Sequence, residues 1–302
     1  MSTEPPFEPA NSGSERTLGR RALLTGAAGA AAAGMVASLP AAVGAIQDAT
    51  ATSESKPATF VLVPGQWTGA FVWHKVAPLL RAAGHEVYPV TCTGLGERVH
   101  LTSAAIDLDT FITDVVNVLE FEDLHDVILV GHSSGGMIIA GVAERVPERL
   151  AQLVYLDASA PEDGQNDYNF DFPSQEAYDA GVAAEIAGSM EAGMPGFVPV
   201  YPDVVEWVRG MAKDPDEAEW FIAKLVPHPQ LTKLQPVRIG NPAAAALPRT
   251  FVFCKKDALE SSTRIAERVR SDPTWRFLEL DDNHLVNLND PEGTAEAFLS
   301  LL

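Results

Sequence analysis

Val127-Ile128-Leu129-Val130-Gly131-His132-Ser133-Ser134-Gly135-Gly136 is a short apolar run that ends in Gly-His-Ser-Ser-Gly. The segment that follows, Met137 to Arg145, has helical composition. Strand, tight turn and helix, in that order, give a G-x-S-x-G motif its meaning as a nucleophile elbow. Such a turn forces its serine into a strained backbone conformation and tolerates only small neighbours, which Gly131 and Gly135 supply. It lifts the Ser133 hydroxyl out of the strand at a helix N-terminus, where free N–H groups and the positive dipole end favour a developing oxyanion. The bare motif arises by chance in a chain with 23 glycines; the flanking patterns make Ser133 a candidate nucleophile.

A serine needs a base, and the base needs an orienting acid. In elbow architectures these follow in the order Ser, acid, His. Of the 7 histidines, His284 lies nearest the C-terminus, in Asp281-Asp282-Asn283-His284-Leu285 after the strand-like Arg276 to Leu280. It is the expected base. His228, between two prolines, reads as a loop or lining residue. Thr250 to Cys254 reads as a buried strand followed by Lys255-Lys256-Asp257, so Asp257 is the expected acid. Asp157, after the strand Leu153 to Leu156, competes for the role and is read instead as a structural aspartate bonding loop amides. The first core strand, Thr59 to Val63, leads into Pro64-Gly65-Gln66-Trp67-Thr68-Gly69-Ala70. The backbone N–H groups of Gln66 and Ser134 are the expected oxyanion hole, and Trp67 and Phe71 the expected substrate contacts.

Val61 to His85 resembles the opening of the hydroxynitrile lyase and plant methylesterase branch of the α/β-hydrolases. Thr93-Gly94-Leu95-Gly96-Glu97-Arg98, Tyr155-Leu156-Asp157-Ala158 and Pro161-Glu162-Asp163-Gly164 are more similar to its bacterial carboxylesterase members, the pyrethroid-hydrolase-type esterases. The resemblance spans roughly Ala58 to Leu302 and weakens from about Tyr168 to Ala246. It implies that Asp257 stands at the family's acid position. One departure is Pro64, where the family usually carries a histidine that helps to hold the oxyanion loop. The resemblance also argues against a lyase. Cyanohydrin cleavage in that branch uses a hydroxyl residue in the oxyanion loop and a lysine beside the catalytic histidine, and here those positions are Gly65 and Leu285.

Composition agrees with a single enzyme domain of about 250 residues after the N-terminal region, with 46% hydrophobic and 21% charged residues. A net charge of −20 makes nucleic acid an unfitting partner. Cys92 and Cys254, the only 2 cysteines, read as packed thiols, with a disulfide left open. No metal-ligand spacing, P-loop or dinucleotide fingerprint occurs, so no cofactor is expected.

Gly19-Arg20-Arg21-Ala22-Leu23-Leu24, an Ala/Gly-rich apolar run to about Leu39 and a small-residue end at Ala45 read as a twin-arginine export signal over 1–45. A membrane anchor is the alternative, but the run is too poor in leucine to hold a bilayer well. Residues 46–57 then form a flexible lead-in, and the mature protein is expected in the periplasm or outside the cell.

Over 58–302, strand patterns at 59–63, 86–90, 127–130, 152–156, 250–254 and 275–280 alternate with helix patterns at 74–83, 108–119, 135–145, 261–270 and 291–302. The alternation predicts an α/β fold with a mostly parallel sheet and helices on both faces. Residues 160–246 break the rhythm and predict a small helical cap whose Trp207, Trp220, Phe197, Met190, Met194 and Met211 partly line an apolar pocket. The expected chemistry is hydrolysis of small, fairly apolar carboxylic esters through an acyl-enzyme. Cofactor-free perhydrolysis or haloperoxidase-type chemistry uses the same residues and stays open. A non-catalytic ligand-binding version of the fold is disfavoured by the intact serine, acid and histidine set.

Overall fold

The computed structural model describes residues 56–302. The proposed export signal and nearly all of the lead-in lie outside the described residues. Strands β1 (Thr59–Val63), β2 (Glu86–Pro89), β3 (Val127–His132), β4 (Leu150–Leu156), β7 (Arg249–Cys254) and β8 (Trp275–Leu280) form a six-stranded sheet in the order β2-β1-β3-β4-β7-β8. All its pairings are parallel. The strand order reverses between β1 and β3, and ligands of open parallel sheets bind at the carboxyl edge beside such a reversal. The Gln66 loop follows β1 and Ser133 follows β3.

The central strands are continuous apolar runs because both faces of the sheet are covered. Phe60 and Leu62 of β1 pack on one side with Trp73, Leu80 and Phe298. Val61 and Val63 point to the other side, with Phe111, Met137 and Ile265. Helices α1 (Val76–Ala82), α2 (Leu108–Phe121) and α3 (Gly135–Arg145) connect the early strands. In α2, Asp107 caps the N-terminus by accepting from the Thr110 N–H. Its buried Leu108, Phe111, Ile112, Val115 and Leu119 recur at helical spacing. Each such burial stabilises by up to about 1.5–3 kcal/mol against a fully extended chain.

The cap runs through α4 (Tyr168–Asp171), α5 (Gln175–Glu191), α6 (Pro202–Met211), α7 (Pro215–Ile222), α8 (Leu231–Leu234) and α9 (Pro242–Ala245). It is not purely helical: β5 (Phe197–Val198) and β6 (His228–Pro229) form an antiparallel pair. Two residues per strand, one of them proline, leave too little alternation for sequence to reveal. Helices α10 (Glu260–Arg270), α11 (Val286–Asn289) and α12 (Pro291–Leu299) complete the domain.

Candidate active site

Ser133 sits at the turn between β3 and α3 with φ of 56°. For a non-glycine residue this left-handed conformation costs on the order of 1–3 kcal/mol and persists only where the surroundings over-determine it. Here they do. The Ser133 N–H donates to the Leu156 carbonyl at 3.3 Å, and its own carbonyl accepts from the Ser159 N–H at 3.0 Å. The turn also requires close backbone approach: a Cβ at Gly131 would stand 2.7 Å from the Gly135 oxygen, and one at Gly65 would stand 2.7 Å from the Ser133 Cβ. The small neighbours read from the motif are therefore needed sterically, and Gly65 brings the loop after β1 against Ser133.

His284 lies in the loop after β8, 5% exposed. Its Nδ1 faces Asp157 Oδ2 at 2.6 Å, and the Asp157 carboxylate is fully buried. The other oxygen, Oδ1, accepts from the Cys254 N–H at 3.4 Å. The expectation for Asp257 is therefore corrected. Asp257 is exposed and is not a hydrogen-bond partner of His284. The reason lies in strand order. To approach Ser133 at the end of β3, the β8 loop must pass back over the ends of β7 and β4. Asp157 ends β4, next to β3, and so meets the imidazole. Asp257 leaves the end of β7 in a left-handed turn, φ 47°, that carries it to the surface.

The His284 loop is tied down from both sides. His132 Nε2 donates to the His284 carbonyl at 2.9 Å, since a carbonyl only accepts, and the two rings lie 4.6 Å apart. Asp282 is buried and takes Lys213 Nζ at 2.5 Å, while Asn283 donates to the Met211 carbonyl at 2.7 Å. His132, in the sequence no more than the residue before Ser133, thus anchors the loop that carries His284.

His132 and His228 are both buried, and burial holds each imidazole down to about 3, with His284 adding for the first and Lys233 for the second. As pH falls below the ordinary histidine value of 6.5, the unfolded chain takes up these protons before the folded one. Stability should therefore be full above about pH 6.5 and fall toward pH 3. Replacing His132 by Phe should flatten the slope of unfolding free energy by up to about 1.4 kcal/mol per pH unit in that window. Urea titrations at several pH values would read this, and an unchanged slope would contradict it.

The loop after β1 places Gln66 and Trp67 over the serine. Among the described residues neither the Gln66 N–H nor the Ser134 N–H is engaged by a protein acceptor. That leaves both free for an oxyanion. Trp67 has φ of 62°, and its indole Nε1 donates to the Val198 carbonyl at 3.1 Å. It lines the cavity. Phe71 does not. It packs edge-on against Trp220 and Phe221, 5.8 and 5.7 Å between ring centroids, in the core under the loop.

Ser133, Ser134, Gln66, Trp67, Asp157 and His284 open onto one cavity of about 870 Å³ beneath the cap. Val198, Val204, Val208, Phe221 and Leu225 give it an apolar wall. Of the cap residues read as lining, Trp207 reaches it and lies 5.8 Å from the His284 ring. Met190 and Met194 are exposed, and Trp220 and Met211 pack against the core. The opposite wall is charged, which the sequence reading missed. Lys233, 5% exposed, places Nζ 2.8 Å from Asp171, 3.7 Å from Asp167 and 4.5 Å from the Tyr168 ring centroid, and Glu185 also lines this side. Burial opposes the charge of Lys233, but Asp171, Asp167 and Glu185 more than reverse this and hold its pKa above the ordinary lysine value. These residues are scattered across the cap with no local motif, so no sequence signal could have joined them. Cys92 and Cys254 are free and buried, and burial raises both thiols.

The model of the alpha/beta hydrolase family matches residues 60–297. A carbendazim hydrolyzing esterase of Nocardioides sp. (strain SG-4G) is 33% identical over 248 residues, covering 81% of this chain and 99% of that protein. Methylesterase 1 of Arabidopsis thaliana is 26% identical over 272 residues, covering 83% of this chain and 98% of the other. In three dimensions the chain is similar to an extracellular alpha/beta-hydrolase from a Paenibacillus species, with TM-score 0.66, 24% identity and coverage of 81% and 98%.

Proposed function

Since this chain belongs to the alpha/beta hydrolase family, we propose that it hydrolyses carboxylic esters of small molecules with Ser133 as nucleophile, His284 as base and Asp157 as acid. One observation carries the reading. The strained Ser133 turn and the buried His284–Asp157 pair open onto the same cavity as two unengaged backbone N–H groups.

In this reading Ser133 Oγ attacks the ester carbonyl while His284 takes its proton. The Gln66 and Ser134 amides hold the oxyanion, a role worth about 2.7–4 kcal/mol per donor in serine hydrolases. His284 then protonates the leaving alcohol. The same imidazole activates water to release the acid, with Asp157 holding Nδ1 and stabilising the imidazolium. The cap supplies an apolar wall for one half of the substrate, and the Lys233 side offers polar groups to the other. The esterases among its relatives support this reaction class.

The test is turnover of a panel of p-nitrophenyl esters of rising acyl length, with peracid formation from the acid and hydrogen peroxide measured alongside. Saturable ester hydrolysis supports the proposal, and peracid formation without it overturns it.

Export through the Arg20-Arg21 segment is proposed with it. The extracellular relative supports secretion, and among the described residues no helix is long and apolar enough to cross a membrane. Replacing both arginines by lysine should retain the precursor in the cytoplasm, because the pair is read as arginine and not as charge. Cell fractionation measures this, and unchanged export would exclude a twin-arginine route.

A further inference from the structure

Gln66 and Trp67 are held from the cap. The Trp67 N–H donates to His228 Nδ1 at 3.3 Å, and the Trp67 indole donates to the Val198 carbonyl. The Val226 N–H donates to the Trp67 carbonyl at 3.1 Å. Lys233 Nζ donates to Gln66 Oε1 at 3.2 Å. His228, Val198, Val226 and Lys233 all come from the segment 196–234, more than a hundred residues from the loop they hold. From outside the cap the loop is held by Thr68 and Thr91.

Peptide planarity turns these contacts into a constraint on the oxyanion hole. The Gly65 carbonyl and the Gln66 N–H belong to one peptide plane and point in opposite directions. The Thr68 hydroxyl donates to the Gly65 oxygen at 2.9 Å, which aims the Gln66 N–H away from it. The next plane contains the Trp67 N–H, which His228 holds. Trp67 then adopts φ of 62°, a conformation that needs outside support in a residue with a bulky side chain.

His228 is built for this contact. Because Nδ1 accepts from a backbone N–H, the ring proton is on Nε2. It donates to Thr232 Oγ1 at 2.8 Å, and the Thr232 hydroxyl in turn donates to the Pro229 carbonyl at 2.7 Å. Only a neutral imidazole completes this chain, and burial keeps His228 neutral. Pro64, at the head of the loop, has no N–H and no polar side chain to contribute.

We propose that His228, with Lys233 acting through the Gln66 side chain, is a positioning residue that fixes the oxyanion loop from the cap. The proposal rests on the reading of the Gln66 N–H as an oxyanion donor. The cap is then part of the catalytic geometry as well as the cover of the substrate cavity. A displacement of about 1 Å at a reacting centre can cost 10²-fold in rate, and outright loss of one oxyanion donor about 10²–10³-fold. Loosening the loop should therefore cost about 10- to 100-fold in kcat.

The test compares His228→Leu with His228→Asn in the full chain. Leucine fills the site and cannot accept, whereas the asparagine amide oxygen can take the place of Nδ1. His228→Leu should lower kcat by about 10- to 100-fold with KM within about threefold of wild type. His228→Asn should recover most of that loss. Gln66→Met keeps the backbone N–H, removes the acceptor for Lys233 and should lower kcat in the same way, which serves if His228→Leu fails to fold. A folded His228→Leu or Gln66→Met variant with wild-type kcat overturns the proposal, as does a His228→Asn variant no better than His228→Leu. Labelling of Ser133 by a serine-directed phosphonate in the wild type reports separately on the underlying reading. If wild-type Ser133 is neither labelled nor active, that reading fails and the proposal with it.

Discussion

Ser133→Ala should reduce ester turnover by roughly 10⁵- to 10⁶-fold, the scale on which removing the nucleophile of a serine hydrolase acts. The residual rate would come from the oxyanion donors and the cavity, which the substitution leaves in place. The fold should survive. The contacts that hold the turn, from the Ser133 N–H to Leu156 and from Ser159 N–H to the Ser133 carbonyl, are backbone bonds. Alanine removes one exposed-side hydroxyl from a turn that already bears a Cβ at φ of 56°. Thermal unfolding should therefore shift little while kcat collapses. A variant with near-normal turnover would remove Ser133, and with it the whole reading of the site.

Asp157→Asn should lower turnover by about 10⁴-fold at neutral pH, because an amide facing Nδ1 stabilises the wrong imidazole tautomer and cannot balance the imidazolium. Asp257→Asn should change turnover by less than about twofold. Its carboxylate is exposed and does not contact His284. The two variants form a sharp pair, since both aspartates end core strands in left-handed turns, φ 44° and 47°. Steady-state kinetics on one good ester distinguishes them. The reverse pattern would mean that the β8 loop rearranges around substrate and that Asp257 is the acid.

The choice between these two aspartates also marks where the sequence stops being legible. Asp157 and Asp257 have the same local signature, a buried apolar strand followed at once by an acidic turn residue. What separates them is which strand lies beside β3, and that is a property of sheet order. The elbow was legible because its requirement is local: small residues must flank a strained serine, and Gly131 approaches Gly135 too closely for any side chain. The core strands were legible because burial on both faces writes continuous apolar runs. The bounds of β1 and β8 match the sequence reading, and the other four strands differ at one end by one or two residues, as at β3, which continues through Gly131 and His132. The Gln66 loop was legible from its place after β1. Its dependence on His228 was not, because the partners lie 161 residues apart and His228 showed only as a histidine between prolines. Phe71 was misread because an aromatic beside an oxyanion loop can face cavity or core with equal local plausibility. Here the cap's Trp220 and Phe221 decide for the core. The charged wall around Lys233 was invisible for a further reason. Its carboxylates on α4 and α5 and its ammonium on α8 converge only when the cap folds.

The central claim is that Ser133 carries the acyl group during turnover. It is tested most directly by quenching the protein with acid during steady-state hydrolysis of a slowly deacylating ester and mapping the modified peptide by mass spectrometry. The account predicts the mass of the acyl group on Ser133, absent from Ser133→Ala and accumulating in proportion to the initial burst of alcohol. An acyl group on another residue, or full turnover with no covalent adduct and no burst, would contradict it.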